Sequence, residues 1–303
     1  SVSMRSQDES ALQGRHDRIL GILAHYQEQS SLLDPHLEGY ITALMEVVSE
    51  NLPGTGSKGF GLVMATVNGF CSVRGASTIM RFFPHAVADL PRVLEALEQH
   101  MEWHTAFWQI KYLLLLWLSV LALVPFDLRS LDDEEASARV VDRLLLVAQE
   151  NLKESTRIKQ GASMLMARLL SRKDVEESHL SKFVNQLLEE LELESGDIIM
   201  RASFLDTLYH FHKLGTAHNL TSHVEDVAHA IIKHFGDPGM QAVRLQCIKV
   251  AQRLALAVLD PVNASWRYIA TRGNLLENLG GSGTQDGAER MSHAQARGGQ
   301  GCE

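Results

Sequence analysis

His100 and His104 stand four apart in the run HMEWH, a spacing that puts two imidazoles on one helix face where they could share a metal. A zinc hydrolase of that kind needs a glutamate directly after the first histidine to activate water, and a third ligand further on. Met101 occupies the first place and no downstream ligand stands out, so the pair reads as two ordinary helix histidines. His210 and His212 are two apart and face different sides of a helix. His223, His229 and His234 read as solvated residues of one surface helix. Gly54–Gly61 is glycine-rich and holds Lys58, but a phosphate loop needs GxxxxGK followed by Ser or Thr between a strand and a helix. Cys71, Cys247 and Cys302 are far apart and form no CxxC, which suggests reduced thiols in an intracellular protein. The expectation is no catalytic residue, no metal ligand and no bound cofactor. What remains is basic and aromatic. Lys249 and Arg253 are four apart, and Trp266, Arg267 and Arg272 follow. Trp and Arg are enriched at interface anchors, so Lys249, Arg253, Trp266 and Arg267 are candidate partner-binding residues. The alternative is solvated charge beside a core tryptophan.

The elements that must position these residues are organised around Tyr112–Asp132, YLLLLWLSVLALVPFDLRSLD. Between Leu113 and Phe126 only Ser119 and Pro125 interrupt the apolar run. A helix apolar all round has to be buried on most sides. The run is shorter than the roughly 20 residues a bilayer requires, so it reads as a core helix and not as a membrane insertion. Pro125 is expected to stop it. Asp132 and Glu135 read as an acidic start to the next helix.

Nearly every segment has helical period and none alternates like a strand. Helices are expected near 8–28, 34–50, 61–73, 76–83, 89–100, 104–124, 133–151, 155–172, 174–193, 197–213, 221–235, 238–259 and 262–279. Asp34 is expected to cap the second, with Pro35 at its first position. Ser222 and Glu225 have the spacing of a capping box. Short connections such as Arg172–Asp174 imply antiparallel neighbours. Segments 155–174 and 237–254 both look like the second helix of a HEAT pair, and pairs recur at roughly 40 residues, the period of HEAT and armadillo arrays. The expected fold is all-α: an α-solenoid of HEAT/armadillo-like antiparallel helix pairs, with an irregular bundle as the alternative. Residues 1–7 are expected to be a flexible start, 8–279 the array and 280–303 a disordered glycine-rich tail. The polar opening SVSMRSQDES lacks a signal region. A net charge of −9 argues against non-specific nucleic-acid binding, which relies on Lys and Arg to release counterions.

Several blocks then point one way. LLLLWLS with PFD and SLD (112–132), YQEQ (26–29), LLDPHLE (32–38), VRG (73–75), FPHAVADLPRVL (83–94), SRKDV (171–175) and AQRLALAVLDP with SWRY and TRG (251–273) occur in order. Together they resemble the N-terminal region of the tubulin-folding cofactor D family, the tubulin-specific chaperone D family, over about residues 15–275. The resemblance implies a HEAT/armadillo-like scaffold with no active site of its own. It implies a cytoplasmic role after the chaperonin, with possible association with the cytoskeleton or centrosome. Its partners would be β-tubulin, tubulin-folding cofactors C and E with α-tubulin, and an Arf-like small GTPase. With cofactors C and E it would stimulate GTP hydrolysis by tubulin and help assemble or dissociate the αβ heterodimer. The family's chains are several times longer, so this one is expected to be a truncated N-terminal array or an isoform with an alternative end after Leu279. A generic HEAT scaffold without tubulin activity is the other reading.

Overall fold

The structure, a computed structural model, describes residues 2–52, 58–99, 108–125, 127–131, 139–193, 196–214, 223–235 and 241–259. These belong to a compact unit, Ser1–Leu259. Residues Asp260–Glu303, with the expected last helix and tail, lie outside the described residues.

The described residues are helical, with no strand among them. In order they are α1 (Val2–Ala24), α2 (Asp34–Glu50), α3 (Lys58–Arg74), α4 (Ala76–Ile79), α5 (Asp89–Gln99), α6 (Trp108–Leu121), α7 (Val140–Asn151), α8 (Ile158–Leu170), α9 (Lys173–Glu192), α10 (Ile198–Leu214), α11 (Val224–Lys233) and α12 (Gln241–Val258). Short 3₁₀ turns lie at Ser30–Leu33, Met80–Phe82 and Leu128–Leu131. None of the described helices is long and apolar enough to cross a membrane.

The packing is a ladder. α3 packs on α6, α6 on α8, α8 on α10 and α10 on α12, while α5, α7, α9 and α11 each pair with the ladder helix that follows. The segments that looked like HEAT second helices became α8 and α12, and both lie in the ladder. The apolar run forms α6, whose residues Ile110–Leu121 are all buried. Trp117 and Leu118 have no exposed area, and at ~1.5–3 kcal/mol per large side chain this helix anchors its neighbours. α8 approaches α6 closely because Gly161 carries no Cβ; one placed there would stand 3.1 Å from the Leu115 Cβ and 3.1 Å from the Tyr112 carbonyl oxygen.

Some boundaries differ from the sequence expectation, each for a local reason. α6 ends at Leu121, ahead of Pro125, because the residue before a proline avoids the helical region and the freed carbonyls find another donor. Asp34 does not cap α2: Leu33 holds that position, and the Asp34 carboxylate pairs with Arg74 instead. α3 begins at Lys58, so Lys58–Gly61 is helix and not loop. α11 begins at Val224 with His223 before it; Ser222 of the expected capping box is outside the described residues, as are Asp132 and Glu135. Ile232 and Phe235 continue the apolar spacing of α11 but are exposed, since that helix packs chiefly on α9 and α12 and buries Val227, Ala230 and Ile231.

Candidate interaction site

Two sets of residues stand out: a group of staples that fix the ladder, and a cationic face on it. The staples come first because they set the geometry. At the end of α6, Arg172 donates from Nη1 to the carbonyls of Ala122 and Val124, both at 2.8 Å. The same guanidinium grips Asp174 with Nε and Nη2 at 2.9 and 2.8 Å. Asp174 also accepts from the Leu128 amide at 3.1 Å. One side chain thus satisfies helix-end carbonyls and ties the α8–α9 turn to the chain leaving α6. Burial alone would raise the Asp174 carboxyl, but the Arg172 guanidinium and the Leu128 N–H hold it below the usual range. A second staple runs from the Trp117 indole N–H to the Pro84 carbonyl at 3.0 Å. A third is the two-pronged Arg74–Asp34 pair, 2.5 and 2.8 Å, just before Gly75 turns the chain with φ of 92°. SRKDV with the residues on either side of PFD, LLLLWLS with FPHAVADL, and LLDPHLE with VRG therefore meet as pairs.

The cationic face spans α8, α10 and α12. The guanidinium carbon of Arg253 stands 5.3 Å, and the Lys249 Nζ 6.0 Å, from the centre of the Tyr209 ring. A hydrogen bond from Arg253 pulls the Tyr209 hydroxyl below its ordinary pKa, helped by the charges of Lys213, Arg253 and Lys249. One turn earlier on α10, Asp206 accepts from Gln246 Nε2 at 3.3 Å and lies 3.8 Å from His210 Nε2. Burial pushes the Asp206 carboxyl up and the His210 imidazole down, so both are drawn toward their neutral forms. On α8, Arg168 donates to the buried Ser119 hydroxyl at 3.2 Å, and burial lowers its pKa. Lys159 acts on Asp206 as well, and Arg168 on His210. Lys159 and Lys249 thus act on the Asp206 carboxylate, which is itself drawn toward neutrality, while Lys213, Arg168 and Lys249 act on His210 and Arg253, Lys213 and Lys249 on Tyr209. Arg168 also lines a cleft of about 470 Å³ together with Leu123, Pro125, Asp127, Asp174 and Leu214, so its outer side meets carboxylates as well.

Of the four candidate partner-binding residues, Lys249 and Arg253 come together here, and Trp266 and Arg267 lie outside the described residues. His100 and His104 lie outside them too. His210 and His212 do diverge: the second turns into a small apolar cavity with Val184, Leu208, Phe211 and Val227, where burial lowers its pKa to about 4. His229 is exposed, as expected, but His223 reaches Ser181 at 3.5 Å and His234 meets the Leu191 carbonyl at 3.1 Å, so both rest on α9. Among the described residues no three His, Cys, Asp or Glu side chains are placed to hold a metal. The thiols of Cys71 and Cys247 are buried and pushed up to about 12 and about 11, which leaves them protonated and poor nucleophiles at neutral pH. The sequence reading missed Tyr209, Asp206, Arg168 and Lys213. The four-residue spacing of Lys249 and Arg253 marked one helix face; what it faced depended on α10 lying beside α12.

An all-α ladder of stacked helix pairs, stapled at its turns and carrying a charged face across successive helices, belongs to the class of armadillo/HEAT-type solenoids. The family model described as "Tubulin-specific chaperone D-like, ARM repeat" matches residues 23–191, more than half of the chain, and the chain belongs to that family. Among curated proteins it is similar to "Tubulin-folding cofactor D" of Schizosaccharomyces pombe, 28% identical over 160 residues, covering 52% of this chain and 14% of that protein. It is also similar to "Tubulin-specific chaperone D" of Dictyostelium discoideum, 20% identical over 400 aligned residues, covering 92% of this chain and 27% of that one. The chain therefore spans little more than a quarter, at most, of the length of these relatives. No solved structure matches it.

Proposed function

We propose that the chain is a binding scaffold of the tubulin-folding pathway, holding β-tubulin after its release from the chaperonin. The observation that carries this reading is the family match over residues 23–191, to which the paired staples give a physical basis. Arg172, Trp117 and Arg74 each tie two of the blocks on which the resemblance to the cofactor D family rests, so in this reading those blocks serve the ladder's geometry. In this reading the scaffold meets cofactors C and E with α-tubulin and an Arf-like small GTPase in the cytoplasm. It helps assemble or dissociate the αβ heterodimer. It contributes to GTP hydrolysis only as part of that assembly, the nucleotide being held by tubulin. Residues 8–279 would form the array.

The test is capture. Tagged full-length chain is mixed with purified αβ-tubulin and cofactor E, and bound β-tubulin is measured by size-exclusion chromatography. Co-elution of β-tubulin is expected. If the chain elutes alone, with its helical circular dichroism intact, the tubulin-binding reading is wrong and the chain is a scaffold for other proteins.

A further inference from the structure

We propose that the face formed by Lys249 and Arg253 of α12, Tyr209 and Lys213 of α10 and Lys159 and Arg168 of α8 is a docking surface for an extended acidic segment of a partner protein. It rests on the scaffold reading above and names the chemistry that one surface of the scaffold takes.

The first ground is uncompensated charge. Lys159, Arg168, Lys213, Lys249 and Arg253 make no ion pair within 4 Å among the described residues. Among the described residues Asp206 is the one carboxylate acting on His210, and none acts on Tyr209 or Arg168. Such a concentration of cations is at odds with a chain of net charge −9. The second ground is separate: the guanidinium of Arg168 donates to Ser119 and that of Arg253 to Tyr209, but among the described residues the Nε atom of each is buried without an acceptor. A buried guanidinium N–H left unbonded is costly, and a carboxylate is the acceptor that fits its fork. One orphaned donor lies on α8 and the other on α12.

The layout selects the occupant. The cations are spread over three ladder helices rather than converging on a point, as a phosphate cradle requires. With helix axes roughly 8–10 Å apart, the face is about 20 Å across. An extended chain rising about 3.3 Å per residue crosses it in roughly six residues. The half-buried Tyr209 ring at the centre already carries Arg253 and Lys249, which leaves those groups preorganised and little of their rotamer freedom to lose. A nucleic acid would meet the repulsion of the remaining acidic surface.

The probe is a fluorescein-labelled hexaglutamate peptide, and its binding to the 303-residue chain is followed by fluorescence anisotropy. Saturable binding is expected at about 50 mM NaCl, weakened at least tenfold at about 300 mM by screening. Lys213→Glu with Lys249→Glu should weaken it at least tenfold further, and Lys153→Glu, an exposed lysine outside the proposed set, should leave it unchanged. Lys213 is exposed in the last turn of α10, so Lys213→Glu alone keeps the fold and should still cost several-fold. Equal binding by the double variant overturns the proposal. So does displacement of the peptide by tripolyphosphate at much lower concentration, which makes the face a phosphate site. Binding only to phosphatidylserine vesicles also overturns it. Tubulin capture retained by the double variant overturns this surface as tubulin's contact and leaves the function standing. Peptide binding without tubulin capture removes the function and leaves the surface.

Discussion

Arg172 shows how one side chain can decide a fold's register. Its side chain is 11% exposed and makes bonds to two backbone carbonyls and a carboxylate at once. Lysine carries the same charge but not the planar fork, so it cannot serve both partners. Arg172→Lys is expected to cost about 2–4 kcal/mol, the scale of breaking a buried, hydrogen-bonded charge pair. It should appear as a lower urea midpoint. The pH dependence has a definite sign. Asp174 is held below its ordinary pKa in the folded chain, so as pH falls the unfolded chain takes the proton first. Its contribution is present above about pH 4 and lost as pH falls further. In Arg172→Lys the support for the charged carboxylate weakens, and the slope of urea midpoint against pH in that window should be shallower than in the parent. An equal slope would show that another carboxylate governs acid unfolding. The block SRKDV stood out in the sequence as one of those that resemble the cofactor D family. Its reach back to Ala122 and Val124 was not, because nothing in the local sequence says which helix end the guanidinium meets.

At the scale of elements, the apolar run at 112–124 made α6 legible as a buried helix, and the described structure agrees over Ile110–Leu121. The amphipathic faces of α2 and α9 were equally plain, because a stripe at three and four residues leaves one solution. Helix ends were less so. Asp34 has the type and position of a cap, yet a tertiary partner, Arg74, outcompetes the local amide. The joint between α6 and α8 was not visible: segment 155–174 looked like the second helix of a HEAT pair, but nothing in it says which residue another helix approaches. Gly161 does, since its missing Cβ faces backbone and not a movable side-chain tip. Gly161→Ala is therefore expected to destabilise by about 1–3 kcal/mol through overpacking, despite alanine's better helix propensity. Gly39, exposed within α2 with nothing near the added Cβ, is the control. Gly39→Ala should stabilise by about 0.5–1 kcal/mol. Thermal melts of the two variants should move in opposite directions; a shift of the same sign would mean that α8 can retreat from α6 at little cost.

For the whole molecule, the sequence's weak repeat led to the right architecture because a helix hairpin cannot bury its own apolar face and must stack. The order of stacking follows from it, and so does the pairing of α10 with α12 that assembles the cationic face. The same topology makes stability uneven. α6 lies among α3, α5 and α8, and its loss removes the support of both halves of the ladder. α12 packs chiefly on α10 and α11 at the end of the described ladder, so it can open while the rest stays folded. Leu114 in α6 has no exposed area and Leu254 in α12 only 4%, so truncating either to alanine removes a similar buried side chain. Each should cost about 2–5 kcal/mol locally. Leu114→Ala should lower the main cooperative transition and speed hydrogen exchange from α3 to α10. Leu254→Ala should leave that transition nearly in place and speed exchange in α11 and α12 alone. The contrast separates a stack coupled through nearest neighbours from a single globular core. If both variants raise exchange evenly along the chain, the helices fold as one unit. A charged face spread over three of them would then form or vanish with the whole molecule, rather than being open to local loosening at the α12 end.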